Sequence, residues 1–410
     1  MNIDRKNRKY IRDLLLTTVF GGIIGFINYL FNIFIARFTN ESIFALYTTA
    51  IGLIYLIQIP AVSIQNILTK SVGETKNGDV EKFKWNSVVL FTVIGSISSF
   101  LFLLIIPSVT SPSQVSPQIL LPLTITLLLA FLSPVTKGIL LGREKIVLVN
   151  TILLVETLLR FSIGYIGIQM GGNIELLILA NAIPSFLSVI AVLPFIKSKK
   201  EEKTKIKFSF VELILMTVSL LLLSAPYTLD LILTPQTIKG EYGALSLIGK
   251  LVYFSCITIA TVMFARLSNQ KDDKGEIKTV GIAVFITFII GIGMSLGIFL
   301  FKDLILELAF GGRYTDISQY FFIFGLAMAA YATVYMLANF FFSRNSYLYI
   351  FILLFITLLQ VFLFRTYATD FLSVVRIQMI VYSLLLILTL LYFLFNFIFK
   401  KNVEKVKEDI

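Results

Sequence analysis

Long apolar runs separated by short polar or basic turns dominate the chain. A membrane-spanning helix needs about 17–25 predominantly apolar residues. Twelve stretches qualify: 14–36, 43–67, 86–108, 118–141, 146–169, 174–196, 211–234, 243–267, 278–301, 318–342, 346–365 and 373–399. Lipid offers no partner to free backbone N–H and C=O groups, so these stretches are read as helices. The pattern predicts an all-α polytopic membrane protein with about twelve transmembrane helices.

Loop charges orient the spans. Arg5, Lys6, Arg8, Lys9 and Arg12 precede the first, and basic residues return at Lys70–Lys84, Arg143 and Lys145, Lys197–Lys207, Arg266–Lys278, Arg344 and Lys400–Lys407. The alternate loops carry only Arg37, Lys239, Lys302, Arg313 and Arg365. The positive-inside rule therefore places both termini in the cytoplasm, with the protein in the cytoplasmic (inner) membrane. The basic linker "KSKKEEKTKIK" follows the sixth span and divides the chain: an N-terminal six-helix bundle over 1–196, a cytoplasmic linker over 197–210, a C-terminal six-helix bundle over 211–399 and a cytoplasmic tail over 400–410. Laid without gaps, "YTTAIGLIYLIQIPAVSIQNILTKS" from Tyr47 matches "YGALSLIGKLVYFSCITIATVMFAR" from Tyr242 in start, end and direction. Such a match predicts a parallel repeat about an axis along the membrane normal.

Composition narrows the function. Of 410 residues, 57% are hydrophobic and 14% charged, and the net charge of +11 sits in loop clusters and forms no single face. Nucleic acid is not an expected partner. Cys256 is the one cysteine and histidine is absent, which excludes disulfides, CxxC redox chemistry and His-ligated metals or relays. There is no GxxxxGK[ST] loop and no catalytic motif, so the chain is not expected to hydrolyse a nucleotide or to be an enzyme, and no cofactor or metal is expected. "MNIDRKNRKYIRD" leads into an apolar run with no small-residue cleavage site, which reads as a retained first helix.

Five ionisable residues lie four or more residues inside the spans: Lys137, Glu156, Arg160, Asp230 and Lys250. A charge at a helix centre costs about 2.5–3.5 kcal/mol on insertion scales, so these should face protein or water. Glu156 and Arg160 are spaced i, i+4 and can pair along one helix face, as a self-neutralising pair or a functional one. Lys137 lies about one turn from the cytoplasmic end and is read as snorkelling to the headgroups. Asp230 and Lys250 flank a turn containing Pro235, Lys239, Gly240 and Glu241, itself read as a surface turn, and can pair as a structural lock or line a cavity. Together the five leave one net positive charge, which favours an anion. Asn28 and Asn32 share a face, with Gln58 and Gln65 on the second span; interhelical hydrogen bonds and sugar recognition are the two readings. Tyr29, Tyr55, Tyr227 and Tyr253 surround this region, and Tyr47, Tyr242 and Trp85 read as headgroup-level belt residues. Pro60, Pro134, Pro184 and Pro226 mark bends, and Gly21-x-x-x-Gly25 and Gly293-x-x-x-Gly297 read as sites of close helix packing.

Four segments carry a family resemblance: "NYLFNIFIARFTNESIFALYTTAIGLIYLIQIP" from Asn28, "LDLILTPQTIKGEYGALSLIGKLVYF" from Leu229, "ARLSNQ" from Ala265 and "LAFGGRYTDISQYFFIFGLA" from Leu308. With them the chain resembles the polysaccharide or O-antigen (Wzx-like) flippases of the multidrug/oligosaccharidyl-lipid/polysaccharide (MOP) exporter superfamily. Asp230, Tyr242 and Gly243 fit the acidic residue and turn of that pattern, and Gly311, Gly312 and Tyr314 its Gly-x-x-Tyr element. The resemblance implies two six-helix bundles around a central cavity, moving a polyprenyl-diphosphate-linked oligosaccharide by alternating access for cell-surface polysaccharide synthesis. It implies partners of membrane lipid, H+ or Na+ as coupling ion, and polysaccharide-assembly proteins. Lys250 and Arg160 would meet the diphosphate, Asn28, Asn32 and Tyr29 the sugars, and Asp230 or Glu156 the coupling ion. "ARLSN" lacks the family's proline, and no arginine cluster marks the first two spans, which counts against lipid II as cargo. The rival readings are a drug or cation antiporter of the same superfamily, and a glycan polymerase, ligase or glycosyltransferase using Asp303, Glu307 and Asp316.

Overall fold

The computed structural model describes residues 2–75, 78–109, 116–198, 204–267, 273–344, 346 and 348–399. The tail over 400–410, linker residues 199–203 and the end of the "ARLSNQ" segment at 268–270 lie outside the described residues. Fourteen α-helices are described, and ten membrane-span candidates among the described residues are long and apolar enough to cross a membrane. In the first half the helices are α1 (Asn2–Phe38), α2 (Glu41–Glu74), α3 (Val80–Val109), α4 (Pro117–Gly142), α5 (Ile146–Gln169), α6 (Ile174–Leu179) and α7 (Ile183–Val192). The second half holds α8 (Phe210–Leu233), α9 (Lys239–Leu267), α10 (Asp273–Leu300), α11 (Lys302–Phe310), α12 (Phe321–Ser343), α13 (Tyr349–Tyr367) and α14 (Phe371–Phe393). The chain is a helical, multi-pass membrane protein. It resolves into two compact units, Met1–Leu221 and Leu222–Ile410, whose boundary falls inside α8.

The sixth apolar stretch is not one helix. It breaks into α6, a turn at 180–182, α7 and a short 3-10 turn at Leu193–Phe195. Each end has a local cause. The Asn173 side chain accepts from Leu176 N at 3.1 Å and starts α6. The Asn181 amide then donates to Leu177 O and Ile178 O, 3.2 and 3.1 Å, closing that helix. Pro184 stands in the first turn of α7, where its missing N–H is no loss.

Close packing also differs from the expectation. A Cβ on Gly21, Gly25, Gly293 or Gly297 would meet no atom within 4 Å, so these glycines do not mark helix contacts. The close approach uses Gly138-x-x-x-Gly142 on α4 instead. A Cβ on Gly138 would lie 2.8 Å from Gln65 O of α2, and one on Gly142 would lie 2.7 Å from Val72 Cβ. Gly138→Val should therefore push α4 off α2 and cost about 1–3 kcal/mol. Denaturant unfolding in detergent reads this, and an unchanged midpoint would show that the contact is not tight. On α3 the outward stripe Val89, Val93, Ile97, Phe100 and Leu104 is 52–63% exposed, as a lipid-facing helix requires.

The basic linker is laced to the first unit on both sides of residues 199–203. Ser198 Oγ donates to Asp79 Oδ1 and accepts from Glu81 N, both at 2.8 Å. On the side of Thr204, Asp79 N donates to Thr204 O at 2.8 Å, and Ile206 packs on Gly78. Lys84, only 2% exposed, donates to Leu193 O at 3.2 Å and Ile196 O at 2.8 Å, capping the end of the sixth segment. The Lys82 amide and then the Ser198 hydroxyl hold the Asp79 carboxyl below its usual range.

Candidate functional site

A cavity of about 270 Å³ lies inside the first unit. Lining residues come from α1, α2, α4, α5 and the broken sixth segment. Asn28, Gln58, Gln65 and Asn181 supply amides, Ser133 and Ser185 hydroxyls, and Lys137, Glu156 and Arg160 charge. Gln58 and Glu156 stand near the midpoints of α2 and α5, so the polar surface is set deep in the helical segments. Two cations and one anion leave the lining with one positive charge.

Lys137 does not snorkel. Its side chain is buried, and Nζ meets Glu156 Oε2 at 2.7 Å across α4 and α5. Gly138 beside it sets α4 close against α2, and the Lys137 ammonium takes the Glu156 carboxylate of α5 as its partner. The i, i+4 pair anticipated for Glu156 and Arg160 is accordingly replaced by contacts between helices. Ser185 Oγ donates to Glu156 Oε2 at 3.1 Å, and Ser188 Oγ donates to Glu156 Oε1. One carboxylate thus ties α4 and α7 to α5.

Arg160 turns the other way, toward α1. Its Nη1 donates to Asn28 Oδ1 at 3.0 Å, and its guanidinium carbon sits 4.5 Å from the Phe31 ring centroid, within cation–π range. Asn32 Nδ2 donates to Asn28 O at 3.0 Å, and Tyr47 Oη donates to Asn32 Oδ1 at 2.9 Å. Tyr47 is 1% exposed, so it is a buried network member and not a belt residue. The charge of Arg160 also reaches the hydroxyls of Tyr47 and Tyr55. Arg160 Nε, Asn181 Oδ1 and Tyr29 Oη are buried without a hydrogen-bond partner among the described residues. Of the residues singled out from sequence, Arg160, Asn28, Asn32 and Glu156 converge here; Tyr29 is buried on the same helix. Asn181, Ser185 and Ser188 were missed. Their signal was polar spacing around Pro184 within an apolar run.

Asp230 and Lys250 stand in the second unit. Asp230 is fully buried; its Oδ2 accepts from Tyr242 Oη at 2.7 Å and its Oδ1 from Leu231 N at 2.8 Å. Tyr242 is thus a buried donor and not a belt residue. Lys250 Nζ lies 4.3 Å from the Tyr227 ring centroid, near enough to Asp230 for the opposite charges to attract. The turn between them is not a plain surface turn either. Lys239 is fully buried, and its Nζ donates to Ile232 O at 3.1 Å, capping the end of α8.

Pro226 organises the helix beneath Asp230. Proline has no N–H for the carbonyl four residues back, and two other carbonyls at this point of the helix take side-chain donors from neighbouring helices. Tyr331 Oη donates to Leu223 O at 2.8 Å, and Pro226 O accepts from Gln378 Nε2, Gln360 Nε2 and Tyr382 Oη at 2.7, 3.0 and 3.2 Å. Gln360, Gln378, Tyr331 and Tyr382 also went unread in the sequence, although two glutamines in apolar spans are a usable signal. Tyr227 stacks on Tyr331 with centroids 5.4 Å apart, extending the cluster. The carboxylates Asp303 and Glu307 lie on α11, and Asp316 on the 3-10 turn Thr315–Tyr320 that follows.

By sequence, no family model and no curated protein matches the chain. By fold the likeness is extensive. An inward-facing multidrug resistance MATE family transporter of the MOP superfamily superposes with a TM-score of 0.69 at 15% identity, covering 90% of this chain and 94% of that one. The lipid II flippase MurJ in an inward closed conformation gives 0.68 at 13% identity, covering 92% and 87%. The MATE multidrug transporter DinF-BH gives 0.62 at 16% identity, covering 94% and 95%. Over at least nine-tenths of its length in each comparison, the chain therefore shares the helical membrane fold of these MATE and MurJ structures.

Proposed function

We propose that the chain is a Wzx-like flippase that moves a polyprenyl-diphosphate-linked oligosaccharide across the cytoplasmic membrane by alternating access, for cell-surface polysaccharide synthesis. Both termini lie in the cytoplasm in this reading. The observation that carries it is the cavity in the first unit, where one positive charge remains uncompensated among amides and hydroxyls. Such a lining suits an anionic, hydroxyl-rich cargo better than a cationic drug. The fold shared with a protein described as a lipid II flippase agrees with it. Arg160 and Lys250 meet the cargo's negative charge, and Asn28, Asn32 and Tyr29 its sugars. Glu156 and Asp230 are the sites at which H+ or Na+ would couple, and polysaccharide-assembly proteins are the partners that receive the product.

The likeness to MATE multidrug transporters supports a second reading, a drug or cation antiporter. One experiment separates the two. Vesicles holding the purified protein are loaded with a fluorescent polyprenyl-diphosphate oligosaccharide, and its leaflet transfer is followed with an impermeant quencher; a cationic dye is tested in parallel. The lipid should cross and the dye should not. Arg160→Met should slow transfer about tenfold or more, the weight of one charge-assisted hydrogen bond. Dye accumulation with no lipid transfer would replace the flippase by the antiporter.

A further inference from the structure

The charge of the first-unit cavity and its two unpartnered groups narrow what it holds. We propose that it binds a single acidic sugar unit, a hydroxylated ring bearing one carboxylate. This deepens the flippase reading and rests on it for the source of the sugar.

Three demands converge on that chemistry. Lys137, Glu156 and Arg160 leave one positive charge on the lining, so a monoanion balances it. Arg160 already gives Nη1 to Asn28, while Nε has no acceptor among the described residues; a carboxylate oxygen supplies one. Asn181 has the opposite need. Its amide nitrogen is committed to Leu177 O and Ile178 O, which fixes the carbonyl oxygen as the atom left without a partner. A ring hydroxyl donates to it.

The alternatives each fail one demand. A diphosphate diester carries two negative charges and no hydrogen to give Asn181, and the Glu156 carboxylate repels its second charge. A neutral sugar satisfies Asn181 and leaves Arg160 unbalanced. Water satisfies either group singly and carries no charge. The volume, about 270 Å³, is on the scale of one pyranose ring, and Gln58 and Gln65 add donors and acceptors along the wall.

The break in the sixth segment is what opens this site. Asn181 stands in the cavity wall because the chain turns at 180–182 between α6 and α7. Irregular backbone within membrane-spanning structure is tolerated where it lines a cavity, which is the position it takes here.

The test titrates full-length protein in lipid nanodiscs with glucuronate, glucose and inorganic pyrophosphate, read by saturation-transfer NMR. Glucuronate should bind saturably and at least tenfold more tightly than either of the others. Asn181→Leu should weaken glucuronate severalfold. Arg160→Lys, which keeps the charge but loses the Nε donor, should weaken it as well, and this variant guards against misfolding of Arg160→Met. Equal binding of glucose and glucuronate, tighter binding of pyrophosphate, or no saturable binding would each overturn the site. The two readings can fail separately. Glucuronate binding without transfer of any lipid-linked glycan keeps the site and removes the flippase. Lipid transfer that does not distinguish acidic from neutral glycans keeps the flippase and removes the site.

Discussion

Lys137→Met should destabilise the protein by about 3–5 kcal/mol, because it leaves the Glu156 carboxylate buried without its cation. The ion pair is short, 2.7 Å, and both side chains are about nine-tenths buried. Ser185 and Ser188 still donate to Glu156 in the variant, so hydrogen bonding survives while the charge is stranded. Removing both charges is gentler. The double variant Lys137→Met with Glu156→Gln should recover much of the loss, since a neutral pair of similar volume escapes the desolvation penalty of the ions. Equilibrium unfolding in mixed detergent across the four proteins gives the coupling energy. A double variant whose loss equals the sum of the two singles would show that the residues do not act as a pair.

Asp230→Ala should cost a comparable amount, about 3–5 kcal/mol, for a related reason. The carboxylate is fully buried, accepts from Tyr242 and Leu231 N, and attracts Lys250. Its removal takes away both acceptors and the nearby opposite charge together. Tyr242→Phe deletes only one donor to a charged acceptor, so it should cost less, about 1.5–3 kcal/mol. If Tyr242→Phe proved as damaging as Asp230→Ala, the hydroxyl and not the charge would be the element that matters. Function reads differently from stability here: an Asp230→Asn variant that folds yet loses ion-dependent transport would assign the coupling role that stability measurements cannot give.

The five intramembrane charges show how far sequence reasoning reaches. Their rarity among apolar residues, and the cost of exposing them to lipid, were enough to place Glu156, Asp230 and Lys250 in protein interior, and all three are buried; Lys137, read as snorkelling to the headgroups, is buried as well. Partner choice was another matter. Glu156 and Arg160 satisfy the spacing for a pair on one helix face, yet Glu156 joins Lys137 and Arg160 joins Asn28. Spacing along one helix sets only which side chains can meet on that helix. Which neighbour competes for the same carboxylate depends on the approach of α4 to α5, and α4 is positioned through Gly138 and Gly142 on α2.

The glycine motifs carry the same lesson. Gly21-x-x-x-Gly25 and Gly138-x-x-x-Gly142 have the same form in sequence, and only the second has a helix against it. Small residues permit close approach, but the opposing surface decides whether it happens. Pro184 reads as a bend in an apolar run; a full break also needs Asn173 and Asn181 to close the helix ends, and these capping bonds are short-range and legible in hindsight.

By itself the sequence determined the helical class, the approximate spans and the presence of buried charge, since each follows from the cost of placing polar groups in lipid. The tertiary structure decided the partners: Lys137 with Glu156, Arg160 with Asn28, Asp230 with Tyr242, and the Pro226 carbonyl with Gln360, Gln378 and Tyr382. These pairings join residues distant in the chain or on different helices, and their geometry exists only once the helices have packed.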